Sequence, residues 1–317
     1  MKRIYLDQNI WFDIQFGRYN NSLESVLKKI DRKKVEIIYS PANCEEICNS
    51  YCSPHIQNRI HIEEKDLRLS ILSKVTRNRE IVPYKNDFNI IHSFSGKEGP
   101  YIVLKHPAGC FKRVYDNYES NSVAESAQEF SIGKADEVDQ NVKSKLGNAN
   151  INIILEKDPS AITLLKKILT DKLIHNAALN QLIKANIKIQ PCTVEVKELI
   201  DKKISEIRSR QSVYFSVKAE KILNGRKNSN ITAWGFSVTE AVVDALILTM
   251  IELGYASSEA PMSSLHDNTH SIYGAYCDYF VTRDKNLLKK LIPTYEYLGI
   301  KTKIINANQE DWQNYLN

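Results

Sequence analysis

The chain has 317 residues and a formal net charge of +5, with 43% hydrophobic and 26% charged residues. This composition is typical of a globular protein that buries a substantial core. It excludes the membrane-spanning class, because no run approaches the roughly 20 apolar residues of a span. The mild positive charge is compatible with a polyanionic partner but does not by itself indicate one. The N-terminus is charged rather than signal-like, so we expect a cytoplasmic protein with reduced cysteines.

The N-terminal part alternates short strands with helices, a pattern typical of an α/β sheet. Strands are predicted at 2–7 and 35–39, and helices at 9–17, 22–31 and 41–52. Asp7 lies where the first strand meets the first helix. Ser40 and Pro41 are helix-start signals, and the helix that they open carries Glu45 and Glu46 in its second turn.

The middle of the chain, 54–230, is predicted to be a mainly helical insertion between two halves of one α/β core. Helices are predicted at 54–77, at 119–146, from 158 onward and at 194–223. The stretch 86–122 is the least regular, and it interleaves aromatic residues with bases such as Lys105, Lys112 and Arg113. Such a loop suits stacking on single-stranded bases with contacts to phosphates. The alternative is a surface hairpin whose aromatic residues pack inward.

The C-terminal part returns to strands and helices. Helices are predicted at 234–254 and 285–298, and strands at 279–281 and 301–305. Asp267 is expected at or just inside a helix start, while Thr282 and Asp284 follow the strand at its carboxyl end. In open α/β sheets, sites form at the carboxyl ends of the strands. We therefore expect Asp7, Asp267 and Asp284 to converge.

Three cysteines, Cys44, Cys48 and Cys52, are spaced four residues apart and share one helix face. They indicate either a metal or redox site or a stripe of small packing residues. Zinc motifs usually contain a second ligand pair, and none follows here, so packing is the favoured interpretation.

Four segments that contain acids follow one another in a fixed order, at 4–9, 39–46, 267–270 and 278–284. They supply an acid after the first strand, an acid in an early helix, an acid in a late helix and a Thr-x-Asp turn. The last segment reads Asp-Tyr-Phe-Val-Thr-Arg-Asp. In this order the segments resemble the PIN-domain nucleases. The resemblance covers roughly 1–50 and 235–305. It implies a three-layer α/β core with a mainly parallel central sheet, divided as 1–53, the insertion 54–230, and 231–317.

The resemblance implies that four acids form a catalytic, metal-binding cluster: Asp7, Glu46, Asp267 and Asp284. Oxygen ligands of this kind favour Mg²⁺ or Mn²⁺ over zinc. Glu45 points about 100° away from Glu46 around the helix, so only one of the two can face the site. The offset from Ser40 favours Glu46, and Asp244 is kept in reserve as the third acid.

Supporting roles are expected for three further residues. Thr282 is expected to hydrogen-bond a carboxylate or a metal-bound water, and Asn9 either contacts the site or caps a helix. His270 either orients a carboxylate or packs between helices. Asp278, at the opposite end of its strand from Asp284, is expected to be structural. The basic residues expected to contact substrate are Lys105, Lys112, Arg113, Arg283 and Lys285.

The function that the resemblance implies is hydrolysis of RNA to products with a 5′-phosphate and a 3′-hydroxyl. The resemblance also implies a role as a toxin or an antiviral defence effector. The expected partner is a second copy of the chain, bound through the insertion, or a regulatory protein. Three alternatives stay open. They are a deoxyribonuclease on the same scaffold, a catalytically silent scaffold that binds nucleic acid or protein, and a helical interaction protein in which 54–230 does the binding.

Overall fold

A computed structural model describes residues 1–53, 57, 59–84, 89–94, 99–116, 151–189, 193–226, 231–255 and 261–317. The chain divides into two compact units. The first unit consists of Met1–Asp116, Thr269–Ile292 and Lys301–Asn317, and the second of Asn117–Asn268 and Pro293–Ile300.

The strands all lie in the first unit, among the described residues. They are β1 (Lys2–Leu6), β2 (Val35–Ile38), β3 (Arg79–Val82), β4 (Ile90–Ser93), β5 (Tyr101–Leu104), β6 (Tyr279–Thr282) and β7 (Lys303–Asn306). The helices are α1 (Gln8–Phe16), α2 (Leu23–Lys29), α3 (Pro41–Cys52), α4 (Ile62–Thr76), α5 (Pro107–Tyr115), α6 (Ile151–Lys157), α7 (Pro159–Lys184), α8 (Val194–Gly225), α9 (Phe236–Glu252), α10 (Pro261–Gly274) and α11 (Lys285–Leu298).

The main sheet has four strands in the order β2-β1-β6-β7, and every neighbouring pair is parallel. All four residues of β2 are buried, as are the last three of β1. Strands that are buried on consecutive residues suit a parallel sheet that is covered on both faces, although β2 includes the charged Glu36. Tyr5 on β1 lies opposite Ile38 on β2 and Phe280 on β6. The predicted α/β class with a mainly parallel sheet is confirmed.

A second, antiparallel sheet in the order β3-β5-β4 refines the prediction for 86–122. The sequence left two interpretations there, an irregular loop and a surface hairpin. The antiparallel pair of β4 and β5 agrees with the hairpin, and Ile102 and Val103 also pair with β3 and are buried. Aromatic and basic neighbours hide this short apolar run from a periodicity argument. The helix α5 then begins at Pro107, where His106 Nδ1 accepts a hydrogen bond from the Ala108 amide at 3.2 Å. Lys112 and Arg113 therefore lie on a helix rather than in a loop.

Two further differences concern the range assigned to the insertion. Residues 59–116 belong to the first compact unit, where β3 covers the short strand that the sequence suggests at 80–84, and β4 and β5 are additional strands beside α4 and α5. The helix predicted at 54–77 is described only from Ile62 to Thr76, and the helix predicted at 119–146 lies outside the described residues.

In the second unit, α7 packs against α8 and α9. The long helix predicted from Val194 is present and runs to Gly225. The buried positions Phe215, Ala219 and Ile222 are spaced at three to four residues and form its packing face. None of the helices in the described ranges combines the length and the apolar character that a membrane crossing requires.

The start of α10 corrects the prediction for Asp267. The helix begins at Pro261, so Asp267 lies well inside it rather than at its first turn. Proline at the first helical position marks the start, because its missing amide hydrogen would have no partner there. The N-terminal end of the helix dipole is therefore not at Asp267.

Candidate active site at the carboxyl edge of the parallel sheet

The carboxyl ends of β1 and β6 lie side by side, and the chain changes direction there. From β1 the chain first forms β2 on one side, and only later β6 on the other. Such a switch point leaves a crevice beyond the carboxyl ends of the two strands. Asp7 directly follows β1, and Thr282 is the last residue of β6. Two of the predicted residues are therefore neighbours at this crevice.

Asp7 is a buried carboxylate at the junction of β1 and α1. It is only 4% exposed, and its amide donates a hydrogen bond to the Val281 carbonyl at 3.0 Å. Burial raises the pKa of Asp7 to about 6; the nearby His270 opposes this rise and the charge of Glu46 adds to it. The carboxyl group can therefore gain or lose a proton close to neutral pH.

Thr282 joins Asp7 to Asp284. Its Oγ1 donates a hydrogen bond to Asp7 Oδ2 at 2.7 Å and accepts one from the Asp284 amide at 3.0 Å, and the side chain is fully buried. Asp284 Oδ1 in turn accepts hydrogen bonds from the amides of Asn286 and Leu287, at 2.7 and 3.0 Å. These two amides are free donors of the first turn of α11, so Asp284 caps that helix. One hydroxyl group thus binds the carboxylate of Asp7 and the backbone of Asp284, while the first-turn amides of α11 hold the carboxylate of Asp284.

Glu46 reaches the same region from the second turn of α3. Its Oε1 lies 3.1 Å from Nε2 of the fully buried His270. The neighbouring Glu45 has a pKa raised to about 7, chiefly by burial, while His270 lowers it and Glu46 raises it. The charge of Glu46 raises the pKa of Asp7. The choice of Glu46 over Glu45 as the acid of the site stays a prediction.

Sequence reasoning missed Tyr5 and Ser40. The Tyr5 hydroxyl lies 2.6 Å from Ser40 Oγ and 2.6 Å from His270 Nδ1. One signal could have found Tyr5. Side chains two residues apart on a strand face the same side, and Tyr5 precedes Asp7 by two residues. The backbone stays extended at Asp7, so the alternation continues to that position.

Asn9 is the second residue of α1, and Asp7 holds the N-cap position, so Asn9 does not cap this helix. Its Oδ1 is buried and has no hydrogen-bond partner within the described part of the chain. A buried carbonyl oxygen without a partner costs free energy, which makes it a candidate ligand for a bound group.

Asp267 and Asp244 belong to the second compact unit. Asp267 is 8% exposed. Asp244 forms an ion pair with Lys172, and its Oδ1 accepts a hydrogen bond from Asn268 at 2.9 Å. Because Asp244 is already paired, its role as the reserve acid is less favoured. The convergence of Asp267 with the other three acids stays a prediction.

The five basic residues expected to contact substrate differ in their surroundings. The Arg283 guanidinium donates to Asp13 at 2.9 Å and lies 3.7 Å from the centre of the Tyr19 ring. Arg113 forms an ion pair with the fully buried Glu80. Both arginines therefore hold internal acids. Lys112 and Lys285 are exposed, and Lys105 is half-buried.

Asp278 has the structural role that its position suggests. Its Oδ2 accepts a hydrogen bond from the Arg3 amide at 2.8 Å, just before β6 begins. This contact ties the amino ends of β1 and β6 together. The carboxylate therefore lies at the opposite end of the sheet from Asp7.

The described residues contain no preformed group of three or more His, Cys, Asp or Glu side chains that could hold a metal ion. Cys44, Cys48 and Cys52 are unpaired thiols, and Cys48 Sγ lies 3.9 Å from Cys52 Sγ.

No family model matches the chain, and neither a curated protein nor a solved structure matches it. The chemistry of this edge therefore has to be inferred from its own residues.

Proposed function

We propose that the chain is a PIN-like, metal-dependent endoribonuclease that hydrolyses RNA at the carboxyl edge of its parallel sheet. One observation carries the proposal: the Thr282 hydroxyl binds the carboxylate of buried Asp7 and the backbone amide of the helix-capping Asp284, so both acids start from the same point of the sheet edge. The charge of Glu46 acts on Asp7 at the same place. Carboxylates that come from distant parts of the chain and repel one another suit a site that binds a cation.

A divalent cation fits the chemistry of these donors. Burial and the charge of Glu46 both raise the pKa of Asp7. The ionised carboxylate of Asp7 therefore has too little nearby positive charge and hydrogen bonding to offset its loss of water. Asn9 Oδ1 adds a buried oxygen that has no partner among the described residues. Mg²⁺ and Mn²⁺ favour such oxygen ligands, and Asp7, Glu46 and Asp284 would hold the ion, with Asp267 as a further candidate. When bound, the ion would activate water and stabilise the leaving oxygen of a phosphodiester.

The chain's own residues hold these carboxylates in place. Thr282 keeps Asp7 Oδ2 in one orientation, and the first-turn amides of α11 do the same for Asp284 Oδ1. His270 holds Glu46 from the buried side. A preorganised set of charges needs little rearrangement during a reaction, which is the main source of electrostatic catalysis.

A second candidate function is a catalytically silent scaffold that binds nucleic acid or protein. It is favoured by the lack of a preformed three-ligand metal group in the described ranges. It is also favoured by Glu46, whose Oε1 is already in contact with His270. In this alternative the acids are structural, and binding of RNA would survive their replacement.

The test is cleavage of single-stranded RNA and DNA by the purified protein with Mn²⁺ or Mg²⁺. Wild type is compared with Asp7→Asn, Asp284→Asn and the matched control Asp278→Asn, which changes the same side chain at the opposite end of the sheet. We expect metal-dependent cleavage of RNA by wild type and by the control, and none by the other two variants. Cleavage of DNA alone would make the protein a deoxyribonuclease.

A thermal shift with Mn²⁺ separates a silent scaffold from an enzyme whose substrate was not supplied. A ligand that binds only the folded state at 100 times its Kd stabilises it by about 2.7 kcal/mol. Wild type should gain this stability, and Asp7→Asn should not. Salt-dependent RNA binding without cleavage or metal stabilisation would favour the silent scaffold. Cleavage that persists in both Asp7→Asn and Asp284→Asn would refute the assigned site.

A further inference from the structure

A continuous chain of buried polar groups lies behind Glu46. Ser40 Oγ, the Tyr5 hydroxyl and His270 Nδ1 are linked by two contacts of 2.6 Å, and His270 Nε2 lies 3.1 Å from Glu46 Oε1. Ser40, Tyr5 and His270 are each 0% exposed. Ser40 precedes α3 and Glu46 lies within it, so this chain of contacts begins just before α3 and ends on it, with the imidazole held between Tyr5 and Glu46.

The chemistry of the groups restricts the direction of these hydrogen bonds. An ionised carboxylate only accepts, so the Nε2 atom that faces Glu46 must carry a hydrogen. The phenol hydroxyl of Tyr5 can both donate and accept. It donates to Nδ1 of a neutral ring and accepts from Nδ1 of a charged ring, so the contact between Tyr5 and His270 exists in both states.

We propose that Tyr5 is a positioning residue: its hydroxyl fixes the His270 ring so that Nε2–H holds Glu46 beside Asp7. The inference rests on the proposed nuclease function, because Glu46 is placed for that reaction. Tyr5 touches neither substrate nor cation in this arrangement, and it acts only through the imidazole. Partners that orient a ligating side chain in this way typically contribute about 10–100-fold to metal affinity or activity.

The Tyr5 ring also packs, and that role can be separated from the role of its hydroxyl. Its centroid lies 5.4 Å from that of Phe280 and 5.6 Å from that of His270. Tyr5→Phe keeps both ring contacts and removes only the hydroxyl. Tyr39→Phe is the matched control, because Tyr39 is equally buried and donates to the Lys105 carbonyl at 2.6 Å, without a contact to His270 or Glu46 among its described bonds.

The first measurement is steady-state cleavage of RNA with Mn²⁺ by wild type, Tyr5→Phe and Tyr39→Phe, each checked for folding by circular dichroism. We expect kcat of Tyr5→Phe to fall about 10–100-fold. KM for RNA should change little, because the exposed cations are untouched. Tyr39→Phe should keep the wild-type kcat. A folded Tyr5→Phe protein with wild-type kcat and metal dependence would overturn the inference.

A second measurement does not depend on cleavage. Nitrogen-15 NMR of the His270 ring reports the hydrogen bond at Nδ1, and a double-mutant cycle of Tyr5→Phe with Glu46→Gln reports coupling through the ring. We expect the Nδ1 resonance to move in Tyr5→Phe and the two changes in unfolding free energy to be non-additive. An unmoved resonance with additive effects would refute the positioning role. If the wild type neither cleaves nucleic acid nor gains stability from Mn²⁺, the proposed function fails, and these two readouts still decide the role of Tyr5.

Discussion

Replacing Asp7 by asparagine should make the protein more stable near pH 8 while it abolishes the proposed cleavage. Asp7 is a buried carboxylate whose ionised form is disfavoured by its surroundings. Asparagine has nearly the same shape, and its Oδ1 can still accept the hydrogen bond that Thr282 donates. The substitution therefore removes the charge and keeps most of the packing.

The size of the gain follows from the pKa. Burial, opposed by His270 and assisted by Glu46, raises the pKa of Asp7 from 3.8 to about 6. The folded state thus binds this proton more tightly than the unfolded state. The free energy of unfolding therefore falls as the pH rises from about 4 to about 6, and it stays low above that. Two pKa units correspond to about 3 kcal/mol, which is the largest gain expected for Asp7→Asn near pH 8.

The assay is urea unfolding at a series of pH values between about 4 and 8 without divalent metal. The stability difference between Asp7→Asn and wild type should be small near pH 4 and should grow up to about pH 6. Asp13→Asn is the matched control. Burial raises the pKa of Asp13 as well, but Asp13 accepts from Arg283 at 2.9 Å, so its replacement leaves this half-buried guanidinium with a neutral partner and should cost about 1–3 kcal/mol.

Two results would refute this reasoning. If Asp7→Asn is less stable than wild type at every pH, then the ionised form of Asp7 stabilises the folded state. If its stability gain does not depend on pH, the gain comes from packing rather than from removal of a carboxylate that titrates near pH 6.

Two other predictions use buried contacts of the first unit. Thr282→Val keeps the shape of the side chain but removes the bonds to Asp7 and to the Asp284 amide; it should cost about 2–4 kcal/mol in urea unfolding. It should also raise the pKa of Asp7 further in a carbon-13 NMR titration, because the Thr282 bond lowers that pKa. Arg113→Met leaves the buried Glu80 without its cation and should cost about 3 kcal/mol near pH 8. Because Arg113 lowers the pKa of Glu80, the loss should shrink as the pH falls and Glu80 takes up a proton; an equal loss at all pH values would contradict this.

The local sequence pattern was sufficient to predict most of the strands and helices of the α/β core. The strands β1, β2 and β6 are short runs rich in apolar, strand-forming residues, and helix α3 begins at the identifiable signal Ser40-Pro41. These features depend on residues close in sequence, which is why periodicity and helix-start chemistry find them. The positions of Asp7 and Asp284 at strand ends follow from the same local information.

The pairing of strands and side chains that lie far apart in the sequence was not predictable in the same way. The β3-β5-β4 sheet depends on which short apolar runs meet in space, and aromatic and basic neighbours obscured those runs. Arg283 and Arg113 looked like exposed cations in the sequence. Only the fold shows that they hold the buried acids Asp13 and Glu80.

The sequence by itself determined the fold class and which acids stand at strand ends, because both depend on the order of residues along a strand or a helix turn. The tertiary structure decided what those acids touch. Thr282 joins Asp7 to Asp284, although it is far from Asp7 in the chain. Tyr5 reaches His270 across 265 positions of sequence. Burial, which shifts the pKa of Asp7, is likewise a property of the packed core and has no counterpart in local sequence.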